Sequence, residues 1–348
     1  MELLKMRGIK LLSTLSILFF GLTPLFSQND YIKEESVNVS SAYYFPNLSG
    51  FELDGNFAPI TYTPIISELD TQRDLGSTWG AVELKGNYKL TLKRNFLTGA
   101  SALTKDNSLK HTFSFDISPV TVSLETSTTI SPIAFLEFTL GTQLGSGWKA
   151  VGADGLALYT NPLGPEEEAF QGVFSKTWLS GTFQFDTAAL MGGDTTWKHI
   201  VLLSNHNLML KYFSAAGTDE PWIFQAGDPS YNGFRYEQST FVGYQMPLVL
   251  DMAGILFETG ANLFDNATRS TMDSSGWGSD FIDTKIGVLL NFKVGENGAF
   301  VLLPQIKKRL RYTDGSVKEL YFINRKTDIN DPYFWSFDRI AISYTYKL

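Results

Sequence analysis

The chain has 348 residues, no cysteine, three histidines and a formal net charge of −8. Disulfides, thiolate metal sites and cysteine nucleophiles are excluded, histidine-based chemistry has little to draw on, and an acidic chain makes a poor nucleic-acid partner. Its 27 Phe, 15 Tyr, 7 Trp and 30 Gly bias it toward strands and turns.

The first ten residues, MELLKMRGIK, carry Lys5, Arg7 and Lys10; the apolar run LLSTLSILFFGLTPLF follows and leads into the polar exit SQND. This order predicts an export signal over residues 1–27, cleaved near Ser27. A membrane anchor is the competing reading, but Gly21, Pro24 and a short apolar run suit export better than crossing roughly 30 Å of hydrocarbon. No later stretch is apolar for long enough to form a transmembrane helix. Residues 28–348 are therefore read as one domain, either soluble after export or crossing a membrane as strands.

YTPIISELDTQRDLGS, at 62–77, is polar and contains proline, which predicts an early external loop. In VELKGNYKLTLK (82–93), Val82, Leu84, Tyr88, Leu90 and Leu92 share one face, and Glu83, Lys85, Asn87, Lys89, Thr91 and Lys93 the other. Phe113, Phe115 and Ile117 alternate with Thr112, Ser114 and Asp116. The phase then flips at Pro119 into Val122 and Leu124 against Ser123 and Glu125, as a tight hairpin requires. Leu136, Phe138 and Leu140 follow, then Phe183 and Phe185 against Gln184 and Asp186. VLLSNHNLML (201–210) reads either as a polar hairpin turn at Ser204–Asn207 or as one strand with Ser204 and His206 on a common face.

Phe234, Tyr236 and Val242 oppose Arg235 and Glu237, and Val249, Ala253, Ile255, Phe257, Ala261 and Leu263 line one face of a long strand. Another runs from Ile282 to Val294, and Gly295–Gly298 turns it back into Phe300, Leu302, Pro304 and Ile306. Gln305, Lys307, Arg309 and Arg311 sit opposite that apolar row, which Lys308 interrupts. Asp314–Gly315 predicts a further hairpin into Leu320 and Phe322. In the final RIAISYTYKL, Ile340, Ile342, Tyr344, Tyr346 and Leu348 share a face.

Strands of this length can cross a membrane at a tilt. Short turns at Ser118–Pro119, Gly295–Gly298 and Asp314–Gly315 are interspersed with long polar connections at Thr160–Ala169, Ala215–Tyr231, Asn266–Asp280 and Asn324–Pro332. The seven tryptophans fall at segment ends. Together these features predict an all-β, antiparallel up-and-down transmembrane barrel of about 14 strands, range 12–16. A soluble β-sandwich is the rival; it would show shorter strands and turn signals every 8–12 residues or so.

The export signal, the acidic strand-rich chain without cysteine and the alternating aromatic last strand resemble bacterial outer-membrane β-barrel proteins. The resemblance is one of architecture and selects no single family. It implies a location in the outer membrane, contact with its lipid, and delivery to the barrel-assembly machinery through the C-terminal strand. Tyr344 and Tyr346 fit that signal; Leu348 departs from an aromatic last residue.

A barrel of that size should hold more than side chains alone can fill. The reading is a passive, porin-like channel for small solutes, with Lys85, Lys89, Glu125, Asp186, Arg235, Glu237, Lys307, Arg309 and Arg311 as pore-lining candidates. The same charges would close the interior if they paired across it. No catalytic residue, metal or cofactor is assigned, since Glu166, Glu167 and Glu168 lack the spacing of a calcium loop. Two alternatives stay open. Ser204 and His206 resemble the serine and histidine of outer-membrane phospholipases, which would make the barrel a lipid hydrolase. A structural or adhesive barrel would instead bind partners through long loops such as Ala215–Tyr231.

Overall fold

A long strand that alternates apolar and polar residues must find separate surroundings for its two rows, and a sheet closed on itself supplies them. The structure, a computed structural model, describes residues 31–45, 81–150, 153–158, 172–191, 196–218, 220, 222–225, 230–274, 281–310, 330 and 332–348. Twelve strands form one closed antiparallel barrel: β1 (Ile32–Tyr44), β2 (Ala81–Asn95), β3 (Ser108–Ile117), β4 (Thr121–Ile133), β5 (Leu136–Gly147), β6 (Phe174–Asp186), β7 (His199–Phe213), β8 (Gly233–Gln245), β9 (Leu250–Leu263), β10 (Asp283–Val294), β11 (Gly298–Leu310) and β12 (Tyr333–Lys347). Each strand pairs with the next in sequence, and β1 pairs with β12. The count lies within the expected range and two below its centre. Leu156–Leu158 and Trp222–Phe224 pair with each other instead of joining the wall, while the predicted hairpin at Asp314–Gly315 lies outside the described residues, as do Tyr62–Ser77, Glu166–Glu168 and Asn324–Ile329.

The alternation sets which row goes where. Val39, Leu84, Phe115, Leu124, Phe138, Leu179, Val242, Ile255 and Ile342, from nine different strands, are exposed on the outer wall. Many inner positions are polar: Ser114, Asp116, Ser123, Gln143, Ser180, Gln305 and Lys307 are buried. This inversion of a soluble core is what hydrocarbon outside and water or paired polar groups inside demand, and closure leaves no strand edge unpaired in lipid.

The connections at one end, 96–107, 134–135, 187–198, 246–249 and 295–297, are short, and both terminal strands end there. Most of those at the other end, including 45–80, 148–173, 214–232 and 264–282, are long. The Ser118–Pro119 turn departs from the expected division: it is short but lies at the long-loop end. Asn266–Asp280 is likewise more than a polar loop, since Asn266–Ser274 form a helix, with Asp265 accepting from the Thr268 N–H at 2.8 Å.

Aromatic side chains mark both rims. Tyr212, Tyr333 and Trp335 are exposed near the long-loop end, and Trp197 and Tyr346 near the other. Lys308, the one cation on the outer row of β11, sits two residues from that strand's end. Its Nζ lies 3.9 Å from the Tyr333 ring centroid and 5.6 Å from that of Phe281, so the charge is held at the rim by cation–π contact. Among the described residues, two tryptophans depart from the expected rim position. Trp178 points inward from β6, and Trp222 is buried within the barrel mouth.

Candidate solute site in the barrel

The upper interior, toward the long loops, is narrowed by the two-stranded ribbon of Leu156–Leu158 and Trp222–Phe224. Its residues pack on the inner rows of β6 and β7: Leu156, Phe174, Phe213 and Trp222 form a buried apolar cluster, with Phe224 stacked on Phe174 at 4.3 Å between centroids. Gln225 anchors the ribbon by donating to Thr121 Oγ1 of β4 at 2.9 Å.

Beneath it lies a cavity of about 460 Å³, within the size range of small-molecule sites. Phe174, Trp222 and Phe224 line it from above; Gln143, Asn205 and Asn207 contribute amides from β5 and β7. Lys85, Lys176, Lys211, Arg235, Lys285 and Arg339 face it as cations, and Glu125, Glu237, Glu258 and Asp283 as carboxylates.

Most of these charges are arranged in tight groups. Arg235 Nε is 2.7 Å from Glu237, its Nη2 is 2.7 Å from Asp283, and its Nη1 is 3.4 Å from Asn262. Gly260 lies under this guanidinium: a Cβ there would stand 2.4 Å from Nη2. Lys85 pairs with Asp116 at 2.9 Å, and Asn87 donates to the same carboxylate. Arg309 pairs with Asp338 at 2.8 Å. Arg339 donates to Gln305 at 2.7 Å and to the Tyr44 hydroxyl at 3.2 Å. Tyr44 in turn donates to Glu83, and Gln305 to Glu258.

Lys176 and Lys211 are held differently. They are direct cross-strand neighbours on β6 and β7, where like charges normally repel. Lys211 reaches Glu237 only at 3.8 Å, a carboxylate already bound by Arg235. Lys176 has no ion-pair partner among the described residues; its Nζ rests 4.8 Å from the Trp178 ring centroid. Trp178 lies across Gly141 of β5, where a Cβ would come within 2.2 Å of the indole. The glycine thus makes room for the indole that supports Lys176.

Below the cavity the interior divides. The inner rows of β2–β5 carry hydroxyls, with Thr91 and Thr112 3.3 Å apart and Thr129 and Thr139 2.8 Å apart. Those of β7–β11 carry Val201, Leu203, Phe241, Leu256, Leu289 and Leu303.

Of the residues singled out from sequence, Lys85, Glu125, Arg235 and Glu237 line the cavity. Lys89 is on the inner row of β2. Lys307 is buried and faces inward on β11 next to Arg309 and its Asp338 partner. Asp186 sits apart at the short-turn end, 2.7 Å from His199 and capping the turn at Thr187–Leu190. Arg311 lies outside the described residues. The residues missed are Lys176, Lys211, Lys285, Arg339, Glu258 and Asp283, although most stand in the same alternating rows as those found. Trp222 and Phe224, which complete the aromatic roof beside Phe174 of β6, gave no period-two signal, because they lie in the long connection after β7.

Residues 204–207 are not a turn: β7 runs unbroken through them, and Ser204 and His206 face outward, near the middle of the wall. Ser204 Oγ is 3.2 Å from His206 Nε2, and His206 Nδ1 is 2.6 Å from the Tyr236 hydroxyl. Ser204 also contacts Thr240 at 3.2 Å, and Gln238 donates to Thr240. The result is a hydrogen-bonded chain of polar side chains across the outer faces of β7 and β8.

No protein-family model matches this chain, and no curated protein does. Among solved structures, the chain is similar to a KdgM porin at 9% identity, covering 90% of this chain and 99% of that one with a TM-score of 0.35. The translocator domain of the autotransporter NalP from Neisseria meningitidis gives 7% identity, 98% coverage of both chains and a TM-score of 0.36. Pseudomonas putida OprB gives 6% identity, coverage of 92% and 94%, and a TM-score of 0.31. At this degree of likeness they carry no argument about function, and the chain's character as a closed β-barrel stands on its own strands.

Proposed function

We propose that the chain is an outer-membrane, porin-like channel for small solutes, delivered by an export signal over residues 1–27 and assembled through its last strand. The observation that carries this reading is the combination of a closed apolar wall with a charged cavity inside it. Twelve strands lie between the roughly eight whose interior side chains can fill and the 16–18 of wide aqueous porins, so a restricted path fits. The inward charges, Lys85, Arg235 and Glu237 among them, would set its selectivity.

Planar-bilayer recording of the refolded chain tests this directly. The expected result is discrete conductance steps; a bilayer that stays at its baseline would overturn the reading. Trp222→Ala combined with Phe224→Ala removes the ribbon's aromatic contacts with the wall and is expected to raise the unit conductance at least twofold.

The Ser204–His206–Tyr236 geometry favours one other reading, a lipid hydrolase, because it places a nucleophile, a base and an orienting group in sequence. Two features weigh against it. The backbone amides around Ser204 are committed to β6 and β8, so no pair of donors is aimed at an oxyanion. Ser204 also lies near mid-wall, whereas lipid ester groups sit at the rims. Ser204→Ala is expected to leave conductance unchanged, and the unmodified barrel to release no fatty acid from phospholipid vesicles; serine-dependent release would establish the hydrolase instead.

A further inference from the structure

We infer that the cavity beneath the ribbon binds a small organic anion, one that carries a carboxylate or phosphate on a hydroxyl-rich body. The inference deepens the channel reading by naming the solute class, and it rests on that reading only for transport, not for binding.

The case begins with Lys176 and Lys211. Two ammonium groups side by side on neighbouring strands repel, and neither has a close carboxylate of its own: Glu125 faces the same cavity without forming an ion pair with Lys176 among the described residues. Glu237 is shared between Lys211 and Arg235, and Lys176 is backed by an aromatic face. An oxyanion between the two lysines relieves the repulsion and gains charge-assisted hydrogen bonds.

The surroundings point independently to a ligand with hydroxyls and an apolar face. Trp222 Nε1, on a residue only 1% exposed, and Asn207 Oδ1 are buried polar atoms without a hydrogen-bond partner among the described residues. Both residues line this cavity. Those two atoms have almost no surface open to the cavity; what Asn207 offers a ligand there is the rest of its amide, a partner for a hydroxyl. Gln143 and Asn205 add further amides, while Phe174 and Phe224 offer a ring face for C–H surfaces. The cavity's volume admits one such molecule.

The test uses the full refolded chain with gluconate, glucose 6-phosphate and neutral glucose as probes. Trp222 and Trp178 report occupancy through their fluorescence, and the same solutes are added to potassium chloride current in planar bilayers. Gluconate or glucose 6-phosphate is expected to saturate the fluorescence change and to block current at concentrations where glucose does neither. Lys176→Gln with Lys211→Gln should weaken the anion's affinity at least tenfold. The double change relieves repulsion but also removes the Lys211–Glu237 and Lys176–Trp178 contacts, so heat-modifiable migration checks that the variant folds, and Lys89→Gln, an inward lysine outside the cavity lining, should bind as the unmodified chain does. If current flows but neither anion binds better than glucose, the anion site is refuted and the channel stands. If no current flows, the channel reading fails, and the fluorescence titration alone decides the site. Equal weakening by Lys89→Gln would also refute it, since it would reveal a diffuse charge effect.

Discussion

Replacing Leu179 by arginine is expected to cost the barrel about 2–4 kcal/mol in a lipid bilayer. Leu179 stands midway along β6 on the outer wall and is 57% exposed. Its cross-strand neighbours Leu140 and Leu208 are exposed beside it. On a water-facing surface the same change would fall within about ±0.5 kcal/mol. The size of the effect therefore decides which solvent the outer row meets. Urea unfolding of the chain in vesicles, followed by tryptophan fluorescence and heat-modifiable migration, measures it. Leu248→Arg, an exposed site in the turn between β8 and β9, should cost no more than about 1 kcal/mol. Equal small losses at both sites would remove the membrane-spanning interpretation.

Arg235→Met is expected to destabilise the barrel by roughly 2–3 kcal/mol, mainly through what it leaves behind. One guanidinium holds Glu237 on its own strand and Asp283 two strands away. Without it two carboxylates and an amide face one another across Gly260. Breaking a buried ion pair typically costs about 3–5 kcal/mol; the lower figure reflects the 40% exposure of Glu237 and the screening of a polar interior. Arg235→Lys should recover less than half of the loss, since an ammonium cannot span both acids with a planar fork. Adding Asp283→Asn to Arg235→Met should restore part of the stability by removing the uncompensated charge. Urea midpoints for the single and double variants form the required cycle. A midpoint for Arg235→Met equal to that of the unmodified chain would mean that water already carries these charges.

The wall was largely legible in the sequence because one physical requirement repeats along it. Each residue in a strand such as Val82–Lys93 has its environment fixed by parity alone, so Leu84 and Lys85 could be assigned to opposite faces without coordinates. Lys308 broke that parity, and its place beside the rim aromatics shows why the exception is tolerated. Ser204 and His206 were harder: polar residues at outward positions look like a turn until Tyr236 and Thr240 on the next strand are seen to complete their hydrogen bonds. The cavity's roof was not legible. Trp222 and Phe224 belong to a short ribbon whose partner lies some sixty residues earlier, and nothing local tells a loop aromatic at the rim from one folded into the mouth. Lys176 was overlooked for a related reason, since its support comes from Trp178 and from a glycine on β5.

The junction between β1 and β12 has a consequence for how this molecule comes apart. β1 pairs with β2 along its whole length, from Ile32 to Tyr44, but with β12 only from Ser36 to Tyr44. The β10–β11 ladder has equally few registered pairs but is held closed by the turn at 295–297, whereas β1 and β12 come from opposite ends of the chain, so the cylinder unzips between them. Amide exchange should accordingly begin at Ile342, Tyr344 and Tyr346, whose N–H groups face β1 on the same side as that of Leu348, while protons in the centre of β7, flanked on both sides by long ladders, are the last to be replaced.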